Sequence, residues 1–82
     1  MYTDAMRRAV HSLDNYRPKN FGLTIRETSM EGVSFLTVVI DAMSLTKMSV
    51  DDKLKATEYI ARVKVALEDN GAMVQLVREA LE

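Results

Sequence analysis

The sequence lacks cysteine and tryptophan, and its 82 residues include one histidine, one proline and three glycines. Without cysteine the chain forms no disulfide, and one histidine leaves a structural zinc site short of ligands. The glycines, Gly22, Gly32 and Gly71, lie too far apart to build a phosphate-binding loop, and no serine lies in a nucleophile motif. The sequence therefore predicts no catalytic residue, no metal and no cofactor, and we expect a protein that is not an enzyme.

Long apolar runs and an excess of one charge are missing as well. The longest nearly unbroken run, Val33 to Ile40, is far shorter than the roughly 18 residues of a membrane-spanning helix. The first ten residues carry Asp4, Arg7 and Arg8 instead of the apolar core of a signal peptide, so we expect a cytoplasmic protein. A formal net charge of −1 gives no overall attraction to nucleic acid or to anionic lipid.

The length of the chain predicts one α+β domain over residues 1–82. A chain of this size buries only about 60 to 65% of the surface that its unfolded form exposes, so its folding balance is narrow. Disulfides and metals are excluded as supplements to the core. We therefore expect the fold to be completed by dimerisation.

The first half of the sequence predicts a helix followed by a hairpin. Thr3 can cap a first helix over residues 4–16. Residues 21–26 alternate apolar and polar side chains, which predicts a strand with one face in water. Residues 28–32 supply a turn, and the β-branched stretch from Val33 to Ile40 predicts the second strand of an antiparallel hairpin.

This second strand is apolar on both faces. One face presents Val33, Phe35, Thr37 and Val39, and the other presents Leu36, Val38 and Ile40 beyond Ser34. A strand of this kind lies inside a sheet with a layer above it and another below it.

The second half predicts a long helix, because Ser49 and Asp52 form a capping-box variant and Asn70-Gly71 supplies a stop. Residues 72–81 also have helical periodicity, and we favour a helix there. Residues 72–77 alone would also suit a short third strand. The favoured element order is α-β-β-α-α.

Two groups of apolar residues are candidate contacts with other proteins. We place the dimer interface on the sheet or on a second, weaker flank of the long helix, which gives Leu36, Val38, Ile40, Leu54, Ala61 and Val65. Methionines outside the core stripes are candidate contacts with a protein partner, because their side chains adapt to many surfaces. These are Met30, Met43 and Met48.

The only basic concentration lies near the N-terminus and is a candidate contact for anions or nucleic acid. It consists of Arg7, Arg8, Arg17 and Lys19. Two carboxylates lie among these residues and few aromatics do, which favours a solvated face. The single histidine, His11, falls on the polar face of the first helix, where we expect it to be exposed.

These patterns favour a non-enzymatic protein-binding module. A small adaptor or a stoichiometric inhibitor of a larger complex fits them, and phages and other mobile elements often encode such small proteins. The alternative is a small nucleic-acid-binding regulator that uses the basic N-terminal segment. Within the protein-binding interpretation the partner is a protein of unknown identity, and the chain itself forms a homodimer.

Overall fold

The computed structural model describes residues 1–80 as helices on a three-stranded mixed sheet. In chain order the elements are helix α1 (Asp4–His11), a 3-10 turn (Asp14–Tyr16), strands β1 (Leu23–Met30) and β2 (Val33–Asp41), helices α2 (Ala42–Thr46) and α3 (Val50–Asp69), and strand β3 (Val74–Glu79). The class is α+β, as the sequence predicts. No helix within this part of the chain is both long enough and apolar enough to cross a membrane.

Strand β2 is the centre of the sheet. It pairs with β1 in antiparallel register, with Leu23 opposite Ile40 and Met30 opposite Val33. On its other edge it pairs with β3 in parallel register, with Leu36 beside Val74. Because parallel strands need a long crossover, α2 and α3 fill the connection between β2 and β3.

The hairpin turn consists of Glu31 and Gly32. Their φ angles are 52° and 80°, and positive φ at both central residues is the signature of the type I′ turn. This turn follows the right-handed twist of the two strands, so pairing begins immediately at Met30 and Val33. The predicted turn over residues 28–32 is therefore too long, and β1 extends four residues past the predicted alternation.

Helix α1 begins where its cap predicts and ends earlier than expected. The Thr3 hydroxyl accepts a hydrogen bond from the Met6 N–H at 3.1 Å. The helix stops at His11, and the 3-10 turn that follows places the Tyr16 ring 4.1 Å from the Arg62 guanidinium of α3. This cation–π contact and the packing of α1 on α3 redirect a segment that the periodicity extends to residue 16.

The helix favoured over residues 72–81 is wrong where the structure describes it, because Val74–Glu79 forms β3. Helix propensities differ by only a few tenths of a kcal/mol per residue among such side chains. Pairing with β2 satisfies backbone groups that would otherwise be buried without partners, as in the 2.8 Å bond from the Leu36 N–H to the Met73 carbonyl. The third-strand alternative gives the correct element, and residue 81 lies outside the described residues.

Helix α2 was not predicted, since its sequence reads as a connection. Asp41, the last residue of β2, caps it by accepting the Met43 N–H at 3.0 Å and the Ser44 hydroxyl at 2.7 Å. The chain thus turns from strand into helix without a loop. Helix α3 begins at the Ser49 cap, as the sequence predicts.

The core lies between α3 and one face of the sheet. Alternate residues of β2 meet the apolar stripe of α3, and Met6 and Phe21 close the ends of the layer. Phe21 packs edge-on against Tyr59, with ring centroids 6.3 Å apart. The buried residues of this core are Met6, Phe21, Leu36, Val38, Ile40, Ala56, Tyr59, Ile60, Val63 and Leu67.

Two leucines test where the stability resides. Leu36 has no exposed surface, whereas Leu54 on α3 is 65% exposed. We expect Leu36→Ala to lower the free energy of unfolding by about 2–4 kcal/mol through the cavity it leaves. Leu54→Ala should change it by less than about 0.5 kcal/mol, as measured by urea denaturation. Similar losses for the two variants would contradict the placement of the core.

The turn offers a stabilising substitution. Glu31 holds a left-handed conformation, which asparagine adopts more readily. We expect Glu31→Asn to raise the free energy of unfolding by about 0.5–1 kcal/mol, and Gly32→Ala to lower it by a similar amount. Thermal unfolding of the two variants checks this. A loss of stability in Glu31→Asn would argue against the type I′ geometry.

Candidate interaction surfaces

One face of the sheet has no layer over it within residues 1–80. The helices pack on the other face, against the even-numbered residues of β2. We call the uncovered side the open sheet face. Its residues are Thr24, Arg26, Thr28 and Met30 of β1, Val33, Phe35, Thr37 and Val39 of β2, and Gln75, Val77 and Glu79 of β3, together with Met73, which precedes β3.

The hairpin end of the open sheet face is apolar. Met30 lies opposite Val33 in the hairpin, and Met73 borders Phe35 on the other side of β2. Met30 is 64% exposed and Met73 is 62% exposed, while Phe35 between them is half-buried. These four residues form one cluster, which we call the hairpin-end patch. Clustered exposed side chains of this kind mark interaction sites more often than isolated ones do.

The opposite end of the open sheet face is polar and internally paired. The Arg26 guanidinium of β1 reaches the Glu79 carboxylate of β3 at 2.9 Å, so this ion pair bridges across β2. Val39 lies between the two partner strands, is only 3% exposed and is not part of the core cluster on the helix side. In the middle of the face, the hydroxyls of Thr28 and Thr37 are 2.8 Å apart. This end therefore presents satisfied polar groups.

The assignment of Leu36, Val38 and Ile40 to a dimer interface needs correction. All three are buried against α3 within the chain, so they are not available to a second subunit. Alternation separates the two faces of a strand and does not say which face meets the helices. The register of the hairpin distinguishes the two faces, because it places the polar residue Arg26 of β1 opposite Thr37 and so marks the face of Thr37 as the one away from the helices.

The second flank of α3 is exposed as the helical phase predicts. Leu54, Ala61 and Val65 all lie on the surface, with Leu54 65% and Val65 52% exposed. Their role in an interface stays a prediction. Ala61 also lines a groove beside β3.

A groove runs between α3 and β3 on the helix side of the sheet. Its apolar wall consists of Ile40, Leu45, Ile60, Ala61 and Leu76, and its volume is about 330 Å³. Leu76 is 41% exposed because α3 covers β2 more fully than it covers β3. We call this the β3 groove.

Cations border the β3 groove. Lys64 lies on its α3 side and Arg78 on its β3 side. Next to it a second depression is lined by Lys53 and Arg78 together. Lys64 pairs with Glu68 at 3.0 Å, whereas residues 1–80 supply no ion-pair partner for Arg78 or Lys53.

The three candidate methionines do not share a surface. Met30 belongs to the hairpin-end patch. Met43 lies on α2, beyond the far end of the nine-residue β2, and is exposed. Met48 packs against the core. The sequence missed Phe35 and Met73 as their companions, because the parallel pairing that brings Met73 beside Phe35 leaves no local signal.

The basic N-terminal residues are partly neutralised. Arg7 pairs with Asp4 at 2.7 Å, and Arg17 lies 3.7 Å from Asp14. Arg17 also donates to the Phe21 carbonyl at 2.9 Å. Within the described part of the chain, Arg8 and Lys19 have no such partner, and two scattered charges make a small cationic surface.

Titratable groups show no catalytic arrangement in residues 1–80. His11 is exposed, with Nδ1 3.2 Å from the Asp14 carboxylate. Burial raises the pKa of Tyr59, and the Asp14 carboxylate raises it further, so this phenol stays protonated. No cluster of three or more metal-ligating side chains occurs in this region. That the chain is not an enzyme remains a prediction.

Comparisons of the chain with protein-family models, with curated proteins and with solved structures found no match. Two surfaces of the molecule are candidates for binding, the open sheet face and the β3 groove. The first is wide and flat, and the second is narrow and bordered by cations.

The ion pair over β2 yields a measurable coupling. Both side chains are partly exposed, so solvent screens their attraction. We expect a double-mutant cycle of Arg26→Ala and Glu79→Ala to give a coupling free energy of about 0.5–1 kcal/mol, and less in 1 M salt. The cycle is measured by urea denaturation. A coupling near zero at low salt would show that the two side chains do not meet.

Proposed function

We propose that the chain is a non-enzymatic protein-binding module, a small adaptor or stoichiometric inhibitor, that works as a homodimer paired through its open sheet face. The observation that carries the proposal is the hairpin-end patch. Met30 and Met73 stay largely exposed there, on a sheet face without a covering layer in the described residues.

Hydrophobic burial favours covering this face. A small domain gains stability from each apolar side chain that it removes from water, at roughly 25 cal/mol per Å². Val33, Phe35 and Met73 lie on the same side of adjacent strands, so one flat partner contacts them together. A second sheet stacked about 10 Å away is the usual layer for such a face.

The charge of the open sheet face suits a second copy of this chain. Arg26 and Glu79 neutralise each other within one subunit, so two copies related by a twofold axis meet without like-charge repulsion. A patch of one strong sign would oppose such pairing. The satisfied polar end then forms the rim, and the hairpin-end patches form the centre.

The size of the face implies a weak dimer. Strands of six to nine residues spaced about 4.8 Å apart cover roughly 400 Å² in projection. Stable complexes bury about 800 Å² on each partner. We therefore expect a dissociation constant on the order of 10–100 µM.

Nucleic-acid binding has less support than protein binding. Arg7 and Arg17 engage carboxylates of their own chain, and the formal net charge is −1. Binding to a polyanion would have to displace those pairs. The open sheet face is neutral and offers phosphates little attraction.

Sedimentation and light scattering test the dimer. We expect the 9.3 kDa chain to approach twice that mass as its concentration rises through roughly 100 µM. Met30→Glu/Met73→Glu should remain monomeric, because four carboxylates would meet at the centre of the interface. Thermal unfolding must show that this variant is folded.

The matched control is Leu54→Glu/Val65→Glu, which places two carboxylates on the exposed flank of α3. It should dimerise like the original chain. If instead this variant is the monomeric one, the interface lies on α3. A wild-type chain that stays monomeric at millimolar concentration overturns the dimer altogether.

A further inference from the structure

We propose that the β3 groove binds an extended acidic segment of a partner protein, which adds to the free edge of β3 as an antiparallel strand. This inference deepens the proposed binding function and rests on it. It uses the opposite side of the sheet from the dimer contact, so the two proposals fail separately.

The backbone of β3 has a free edge. The Leu36 N–H donates to the Met73 carbonyl, and Val74 lies beside Leu36, so Met73, Gln75 and Val77 direct their backbone groups toward β2. Val74, Leu76 and Arg78 alternate with them. Their N–H and C=O groups therefore point away from the sheet, where residues 1–80 place no further strand.

The side chains of those edge residues border the β3 groove. Leu76 and Arg78 line it directly, and Val74 packs against the core beside it. An added strand would carry every second side chain on the same side, above the apolar wall of Leu45, Ile60 and Ala61. The edge supplies hydrogen bonds and the groove supplies selectivity, which is the general mode of strand addition.

The charges around the groove select an acidic segment. Arg78 and Lys53 have no ion-pair partner in the described residues, whereas Lys64 at the rim is already paired with Glu68. A carboxylate beside Arg78 would form a charge-assisted hydrogen bond. A lysine at that position would face repulsion.

The register predicts a short motif. In an antiparallel addition, the residues opposite Arg78, Leu76 and Val74 follow one another at every second position of the partner. The first meets a cation, the second faces the apolar wall, and the third lies next to Val74. The expected pattern is acidic-x-apolar-x-apolar, read from the N-terminus of the partner segment.

The probe is the fluorescein-labelled peptide Thr-Glu-Thr-Leu-Thr-Val-Thr. We expect fluorescence polarisation to detect its binding to the full chain, with an affinity that falls as salt rises. Arg78→Glu should weaken binding at least tenfold, while Arg8→Glu, an exposed arginine on α1, should change it less than twofold. Replacing the glutamate of the peptide by lysine should restore binding to Arg78→Glu.

Changes in the peptide test the backbone pairing without altering the protein. In the proposed register the leucine N–H of the peptide donates to the Leu76 carbonyl, and the N–H of the next threonine points to solvent. N-methylation of the leucine should therefore weaken binding at least tenfold. N-methylation of that threonine should have less than a twofold effect.

Amide hydrogen exchange locates the added strand. Binding should slow exchange at Val74, Leu76 and Arg78, and leave Gln75 and Val77 nearly unchanged because they already bond to β2. Protection on β1 instead, equal effects of the two N-methyl peptides, or no binding at millimolar peptide would overturn the proposal.

The dimer is tested separately by applying the same peptide to Met30→Glu/Met73→Glu. Undiminished peptide binding by this monomeric variant is the expected result, because the groove lies on the helix side of the sheet. If exchange at Leu76 is already slow in the free chain and speeds up on dilution, a second copy occupies the edge, and the strand-addition proposal is wrong.

Discussion

The fold depends on the position of β2, which has neighbours on both edges and apolar side chains on both faces. Its hydrogen bonds to β1 and β3 fix the sheet, and Leu36, Val38 and Ile40 fix the sheet against α3. Removing a strand would leave backbone groups of β2 without partners in an apolar environment. The other elements pair with one of the two edges of β2, cover one of its two faces, or connect the elements that do so.

The two faces of β2 are not covered equally. Helix α3 buries most of one face, with Leu36 and Val38 wholly inaccessible to water. On the other face, the Arg26–Glu79 ion pair crosses β2 at the end where Val39 is 3% exposed, whereas Met30 and Met73 are 64% and 62% exposed. A pair of long charged side chains can cover one valine with its aliphatic stems. It cannot cover a whole cluster, and this leaves the open sheet face incomplete.

The sequence predicts the elements that are fixed by interactions between residues close together in the chain. The stripe of α3 and the hairpin are encoded in periodicity and turn chemistry, so both are recognisable from neighbouring residues. Strand β3 depends on pairing with residues about 38 positions earlier, such as Val74 with Leu36. A prediction made without knowledge of such distant contacts follows local helix propensity, and it therefore assigns a helix to these residues. The same limit conceals the two surfaces, since the β3 groove requires Ala61 and Leu76 to be placed side by side.

The two edges of the sheet differ in a way that bears on function. Edge strands are commonly protected by charges or by covering segments, because a bare edge pairs with other chains. Glu27 of β1 accepts a hydrogen bond from the Tyr2 N–H, so the N-terminal segment is bonded to that edge strand. The free edge of β3 runs along Val74, Leu76 and Arg78, and no segment of residues 1–80 is bonded to it. An edge with this composition is exposed to unspecific pairing unless a particular strand occupies it. If the cations of the groove select that strand, the edge binds a specific partner instead of pairing unspecifically.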